Sequence, residues 1–202
     1  MSRRIDLIEK AVVADTCSVW NLLSSSTLHR ACVVARFDFI LTDFVLYECL
    51  HKPRKEQRSA DATLQERLKD ARMRQQFKNY SLALEDLQEV AILEHRRRLS
   101  KGELASIAFA KRVGLAFQTD DMGARTLAAM TLASERVQTT PHVVGWLFYE
   151  GRLADADLAE ILREHQSFER PLRKFFQEMY EEAMRCRLLS RSAPAGVGPS
   201  DG

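Results

Sequence analysis

Residues 99 to 125 read LSKGELASIAFAKRVGLAFQTDDMGAR. The stretch predicts an apolar helix with Glu103 in its opening turn, a return through Gly114, and a short strand from Leu115 to Gln118. Asp120 and Asp121 then stand at that strand's carboxyl end. Helix, glycine and strand in this order are one step of an alternating α/β chain, which builds a parallel sheet. Ligands of open α/β sheets bind in the crevice beyond the carboxyl ends of the strands. The stretch therefore sets a fold class and marks one edge of the sheet for chemistry.

Outward from this stretch, two more acids occupy comparable positions. Ala11 to Ala14 is a short, Val-containing apolar run of the kind that forms a buried parallel strand, and Asp15 ends it. Asp15, Thr16 and Ser18 also supply helix-capping oxygens before Val19, Trp20, Leu22 and Leu23, so Asp15 reads both as an N-cap and as a site acid. After a helix over Leu28 to Ala35, a second strand is expected at Phe37 to Leu41, with Thr42 or Asp43 capping the next helix. Glu48 lies on that helix beside the apolar Phe44, Val45, Tyr47 and Leu50, and Pro53 stops it.

From Ser59 to Lys78 the chain is charged and helix-favouring, with Leu64, Leu68 and Ala71 at helical spacing. A weak strand over Tyr80 to Leu84 and a helix over Glu85 to Leu99 follow. Residues 51 to 101 hold 13 Lys and Arg against 8 Asp and Glu, so the rest of this chain of net charge +2 carries −3. Arg96, Arg97 and Arg98 suit a helix C-terminus and suit phosphate contacts equally well. Beyond the central stretch we expect a helix over Met122 to Ala133, a strand over Arg136 to Thr139 and a helix from Pro141 to Tyr149. Helices over Leu153 to His165 and Arg170 to Leu189 complete the set. The last carries a stripe of Leu172, Phe175, Phe176, Met179, Tyr180 and Ala183, suited to its own core, to a second copy or to an inhibitor helix.

The expected architecture is a three-layer α/β/α fold with a short central parallel sheet and extra C-terminal helices. Residues 1–150 form the main domain, with a charged helical insertion at about 52–98 lying over or beside the site. Residues 151–189 form a helical extension, and the Ser-, Pro- and Gly-rich tail 190–202 is expected to be disordered. With 202 residues, 46% hydrophobic and 29% charged, the chain can bury a core and has a globular composition. No apolar run approaches the ~20 residues of a membrane span, and MSRRIDLIEK lacks the apolar segment of a secretory signal, so a cytoplasmic protein is expected. Cys17, Cys32, Cys49 and Cys186 are scattered without metal-ligand spacing and are read as free thiols.

Four acids from four segments, Asp15, Glu48, Glu103 and Asp121, converge on one edge in this topology. Two carboxylates ~4 Å apart repel by about 4 kcal/mol at an effective dielectric of ~20, so such a cluster needs protons or a cation. All-oxygen ligation favours Mg²⁺ or Mn²⁺ over zinc, and such an ion acidifies a water and neutralises a phosphodiester. Phosphate-binding GxxxxGK[ST] and GxGxxG loops and a GxSxG nucleophile turn are missing from the sequence.

The ordered set of an apolar strand then Asp15, Thr16 and Ser18, Glu48 after the second strand, Gly102–Glu103 with Ile107, Ala108 and Ala110, Gly114, and Thr119–Asp120–Asp121 with Ala124 and Arg125 resembles the PIN domain over about residues 11–145. That resemblance implies Mg²⁺- or Mn²⁺-dependent hydrolysis of RNA. Asp15, Glu48, Glu103 and Asp121 become the metal-binding catalytic acids, with Asp120 a helper to or substitute for Asp121, and Thr16 and Thr119 orient acids or water. The chain departs from the family in carrying Glu103 where Asp is commoner, in the long charged 52–98 segment and in the added C-terminal helices. Lys52, Arg54, Lys55, Arg96, Arg97, Arg98 and Arg125 are candidate phosphate contacts. Similarity to VapC-type toxins brings a homodimer and an antitoxin protein as expected partners, with no membrane involvement. The alternative is a catalytically inactive PIN-like module that binds RNA or protein.

Overall fold

Ala11–Ala14 (β1) forms the centre of a five-stranded sheet in the computed structural model, which describes residues 5–53, 59–96 and 98–192. Both neighbours run parallel to it: β2 (Asp38–Thr42), with Val12 opposite Phe39, and β4 (Ala116–Gln118), with Val13 opposite Phe117. β3 (Phe77–Tyr80) adds to β2 and β5 (Val137–Gln138) to β4, giving the all-parallel order β3-β2-β1-β4-β5. Helices cover both faces, so the three-layer α/β/α architecture expected from the sequence is the one observed. Among the described residues no helix is long and apolar enough to cross a membrane.

The side-chain period of a strand divides the core in two. Val12 and Ala14 pack with α1 (Thr16–Leu23), α2 (Ser26–Val34) and α8 (Thr140–Tyr149) on one face. Val13 points to the other, where α5 (Leu84–Arg96), α6 (Lys101–Val113) and α7 (Met122–Thr131) supply Leu93, Leu104, Ile107 and Leu127. α6 starts at a capping box, Ser100 with Glu103, and ends at Gly114, whose φ of 69° is the left-handed C-cap that only glycine adopts freely.

The segment read as an insertion is part of the sheet's own winding. α4 (Ser59–Met73) buries Leu64, Leu68 and Ala71 in the main core and delivers β3 to the sheet. β3 falls at Phe77–Tyr80 rather than 80–84 because a single buried residue anchors this edge strand: Phe77 stacks on Phe39 with ring centroids 5.3 Å apart. Lys78 faces solvent and bonds Asp38 at 2.7 Å. α3 (Asp43–Leu50) ends, as expected, before Pro53.

The C-terminal helices α9 (Asp155–Ser167) and α10 (Arg173–Ser192) belong to the same core rather than to a separate extension, since Ile161, Leu162, Leu172, Phe176 and Ala183 join the cluster around β1. The stripe on α10 therefore packs on its own chain, against α8, where a Cβ at Gly145 would lie 2.9 Å from Met179 Cε. Phe175 stays half exposed. α10 continues through Ser192, so the first residues of the tail expected to be disordered are helical, and 193–202 lie outside the described residues.

Candidate active site at the carboxyl edge of the sheet

β1 and β4 end side by side, Ala14 opposite Gln118, and the next residues of both strands meet. Asp15 N–H donates to the Gln118 carbonyl at 3.2 Å, and Thr119 Oγ1 donates to Asp15 Oδ2 at 2.5 Å. Asp15 is fully buried and caps α1, accepting Ser18 N–H at 2.8 Å. Burial lifts its carboxyl from the ordinary range to about 7, although the bonds from Thr119, Ser18 and Cys17 pull the other way. Cys17, whose thiol burial keeps protonated, donates to Asp15 Oδ1 at 3.1 Å. Asp15 is thus the N-cap the sequence predicts, and it is also withdrawn from water at a strand end.

Thr119 also ties the next loop to Asp15, because its Oγ1 accepts Asp121 N–H at 3.1 Å. Asp121 is exposed and caps α7 through one oxygen, Oδ1 to Ala124 N–H at 2.7 Å, which leaves Oδ2 outside the cap. Asp120 has both oxygens engaged elsewhere. Oδ1 accepts Thr140 N–H at 2.9 Å, while Oδ2 takes the Thr140 hydroxyl at 2.6 Å and the Asn21 amide at 2.7 Å. Burial raises its pKa too. Asp120 thus binds the start of α8 to α1, and of the two adjacent acids Asp121 is the one turned to the open edge.

The other two acids form a second pair. Glu48, on α3, accepts the Thr16 hydroxyl at 2.6 Å through Oε2 and Gly102 N–H at 3.3 Å through Oε1, and it lies near Ser100 Oγ at 3.5 Å. Gly102 is required for this approach: a Cβ there would stand 2.6 Å from Glu48 Oε2. Glu103 returns one oxygen, Oε2, to Ser100 N–H at 2.8 Å as its half of the capping box. Its pKa is raised, first by burial and then by the negative charges of Asp121 and Glu48. Thr16, adjacent in sequence to Asp15 and bonded to Glu48, joins the pairs.

The arrangement is looser than the tight convergence expected. Among the described residues no three Asp, Glu, His or Cys side chains meet in a group able to hold a metal ion. Each acid instead faces a hydroxyl or a helix N-terminus, which satisfies a carboxylate without bringing it against another negative charge. The donors on this edge are nonetheless hard oxygens, the chemistry Mg²⁺ and Mn²⁺ select, and the glycine cradle at 102 makes room for one of them.

Among the basic candidates, Lys52 Nζ is 3.7 Å from Glu48 Oε1 and so sits at the site. Arg125, on α7, lines a cavity of about 140 Å³ with Asp120, Phe175, Glu178 and Met179, and its Nε is buried without a partner among the described residues. Arg96 ends α5 and, like Arg98, is exposed. Arg54, Lys55 and Arg97 lie outside the described residues. Sequence reasoning missed Ser100, Asn21 and Thr140. Only Ser100 left a signal, the S-x-x-E spacing to Glu103; the other two reach Asp120 from 99 and 20 residues away. Compared with protein-family models and with curated proteins, the chain matches none.

Proposed function

We propose that the protein is a PIN-like, Mg²⁺- or Mn²⁺-dependent endoribonuclease that hydrolyses RNA phosphodiesters. One observation carries the reading: acids from four separate segments share the carboxyl edge of a parallel sheet, and the buried one, Asp15, is held by a hydroxyl from the neighbouring strand. In this reading Asp15, Glu48, Glu103 and Asp121 would hold the ion, Glu103 and Asp121 through the oxygens their caps leave out, and all four must draw closer around it than the fold places them. The ion's contribution is to neutralise phosphate charge and acidify a water. Thr119 fixes the direction of Asp15, Thr16 fixes Glu48, and Lys52 and Arg125 meet the RNA backbone. By the same resemblance the protein is a toxin that forms a homodimer and is held by an antitoxin. Light scattering and co-purification with a small protein encoded beside it test those partners.

The enzymatic test uses end-labelled single-stranded and hairpin RNAs with Mg²⁺ or Mn²⁺. Cleavage that EDTA stops and Asp15→Asn removes supports the reading. Intact RNA across such a panel overturns it. The caps that occupy Glu103 and Asp121 favour a second reading, an inactive module that binds RNA or protein, which predicts RNA retention without products in the same tubes.

A further inference from the structure

We propose that the cleft between α2 and α4 is a second, separate ligand site that takes a phosphate group carrying an organic substituent. The cleft is a cavity of about 340 Å³, larger than a bare phosphate needs, lined by Arg30, Arg67 and Arg74 against one carboxylate, Asp70. Leu23, Val33, Val34 and Ala71 supply apolar wall for a carbon-bearing substituent. Leu23 is at the far end of α1 from Asp15, and Gln76 directly precedes β3, so the cleft opens at the amino-terminal edge of the sheet, away from the acids.

Two details suit an anion there. Arg67 is already oriented, with Nη1 donating to the Leu23 carbonyl at 2.7 Å and its guanidinium over the Phe168 ring at 4.9 Å, which uses one of its five N–H groups. His29 stacks on Phe77 with centroids 5.6 Å apart, and its Nε2 is buried without a hydrogen-bond partner among the described residues. Buried polar atoms are nearly always satisfied, so an orphan nitrogen beside three guanidiniums marks a place for an acceptor. Burial, then Arg67 and Arg74, hold the imidazole neutral, down to about 4. A phosphate opposes those charges and lets it take a proton. The other charged groups are Asp70, and Glu164 of α9, which accepts from the Ser25 and Ser26 hydroxyls at the start of α2.

The test is calorimetric titration of the full chain with inorganic phosphate and with a thymidine pentanucleotide lacking terminal phosphate, for wild type, the Arg30→Gln/Arg74→Gln double variant and His29→Phe. Loss of two charge-assisted donors should weaken binding at least about tenfold while circular dichroism is unchanged. A loss seen with the pentanucleotide identifies a nucleic-acid backbone as the source; a loss seen with phosphate alone identifies a free phosphorylated compound. The phosphodiester does not titrate between pH 5 and 8, so a gain in its affinity on the acid side belongs to the protein and should vanish in His29→Phe, which keeps a ring on Phe77. In wild type the His29 C2–H resonance should titrate at higher pH with ligand than without. Equal binding by wild type and the double variant, or no binding of either probe to wild type at millimolar concentration, overturns the proposal, and neither result bears on RNA cleavage.

Discussion

If the protein is the nuclease proposed above, Asp15 is the residue at which function and stability pull in opposite directions. Its carboxyl titrates near 7 in the fold against an ordinary 3.8, so the folded chain holds that proton more tightly than the unfolded one. The stabilisation this gives is complete below pH 4 and is lost as pH rises through 7. At pH 8 and without metal, Asp15→Asn removes a buried charge while keeping an oxygen for Ser18 N–H. It should raise stability by on the order of 2 kcal/mol, a gain of ~4 °C or more in Tm, and lower metal-dependent cleavage by at least ~100-fold; differential scanning fluorimetry and the RNA assay read the two effects. Gly102→Ala separates them in another way. Its Cβ would collide with the flexible end of Glu48, 2.6 Å away, while alanine favours the helix by up to ~1 kcal/mol. Tm should move little, and under the proposed nuclease function cleavage should fall about tenfold or more as Glu48 leaves Thr16.

At the scale of elements, α5 and α6 are fastened by Asp86, which has no exposed surface, and Arg112, which bonds it through Nε at 2.7 Å and Nη2 at 3.2 Å. Asp86 also accepts Ala83 N–H at 2.9 Å at the start of α5. Arg112→Met leaves that carboxylate buried without its cation. Because the arginine itself faces solvent, water can partly replace it, so the variant should lower the urea midpoint clearly but by less than loss of a fully buried pair would. This bolt was not legible in the sequence, because Asp86 and Arg112 are 26 residues apart on different helices and meet only in the fold. Part of the positive charge of residues 51 to 101 is paired in the fold, Lys69 with Glu66, Lys101 with Glu94, and Lys78 with Asp38 of the neighbouring strand. β1 and α6 were legible because an unbroken apolar run, an apolar helix and a closing glycine are local signals. β3 was not, because only Phe77 of its four residues is buried and its partner strand lies 38 residues earlier in register. The places of Asp15, Glu103 and Asp121 at element boundaries were legible for a local reason, whereas Glu48, in the last turn of α3, carries no such local signal. Their engagement with caps, and the pull of Asn21 and Thr140 on Asp120, arises only in the folded chain.

At the scale of the whole molecule, the C-terminal helices close one of the two cores, and His165 is the titratable group that closure buries. It is 1% exposed on α9 and meets Phe176 of α10 edge-on, ring centroids 4.7 Å apart. Burial, with Arg170 nearby, brings its pKa down to about 4 from 6.5. Above pH 7 both folded and unfolded chains keep it neutral, and it contributes nothing to the pH dependence. As pH falls from 6.5 to 4 the unfolded chain takes the proton and the folded one refuses it, so stability is lost, by up to about 3 kcal/mol. His29, less buried, acts in the same direction, and Asp15 acts in the opposite one, since its raised pKa makes the fold more stable as pH drops. The net acid limb of the wild type therefore mixes opposing contributions, and the informative quantity is a difference. His165→Phe keeps an aromatic ring against Phe176 and removes the titration. Its stability relative to wild type should be nearly constant above pH 7 and should grow steadily between pH 6.5 and 4, as read by urea unfolding at half-unit steps. A flat difference across that range would mean that the imidazole takes its proton inside the fold, and that the contact between α9 and α10 opens enough to admit water.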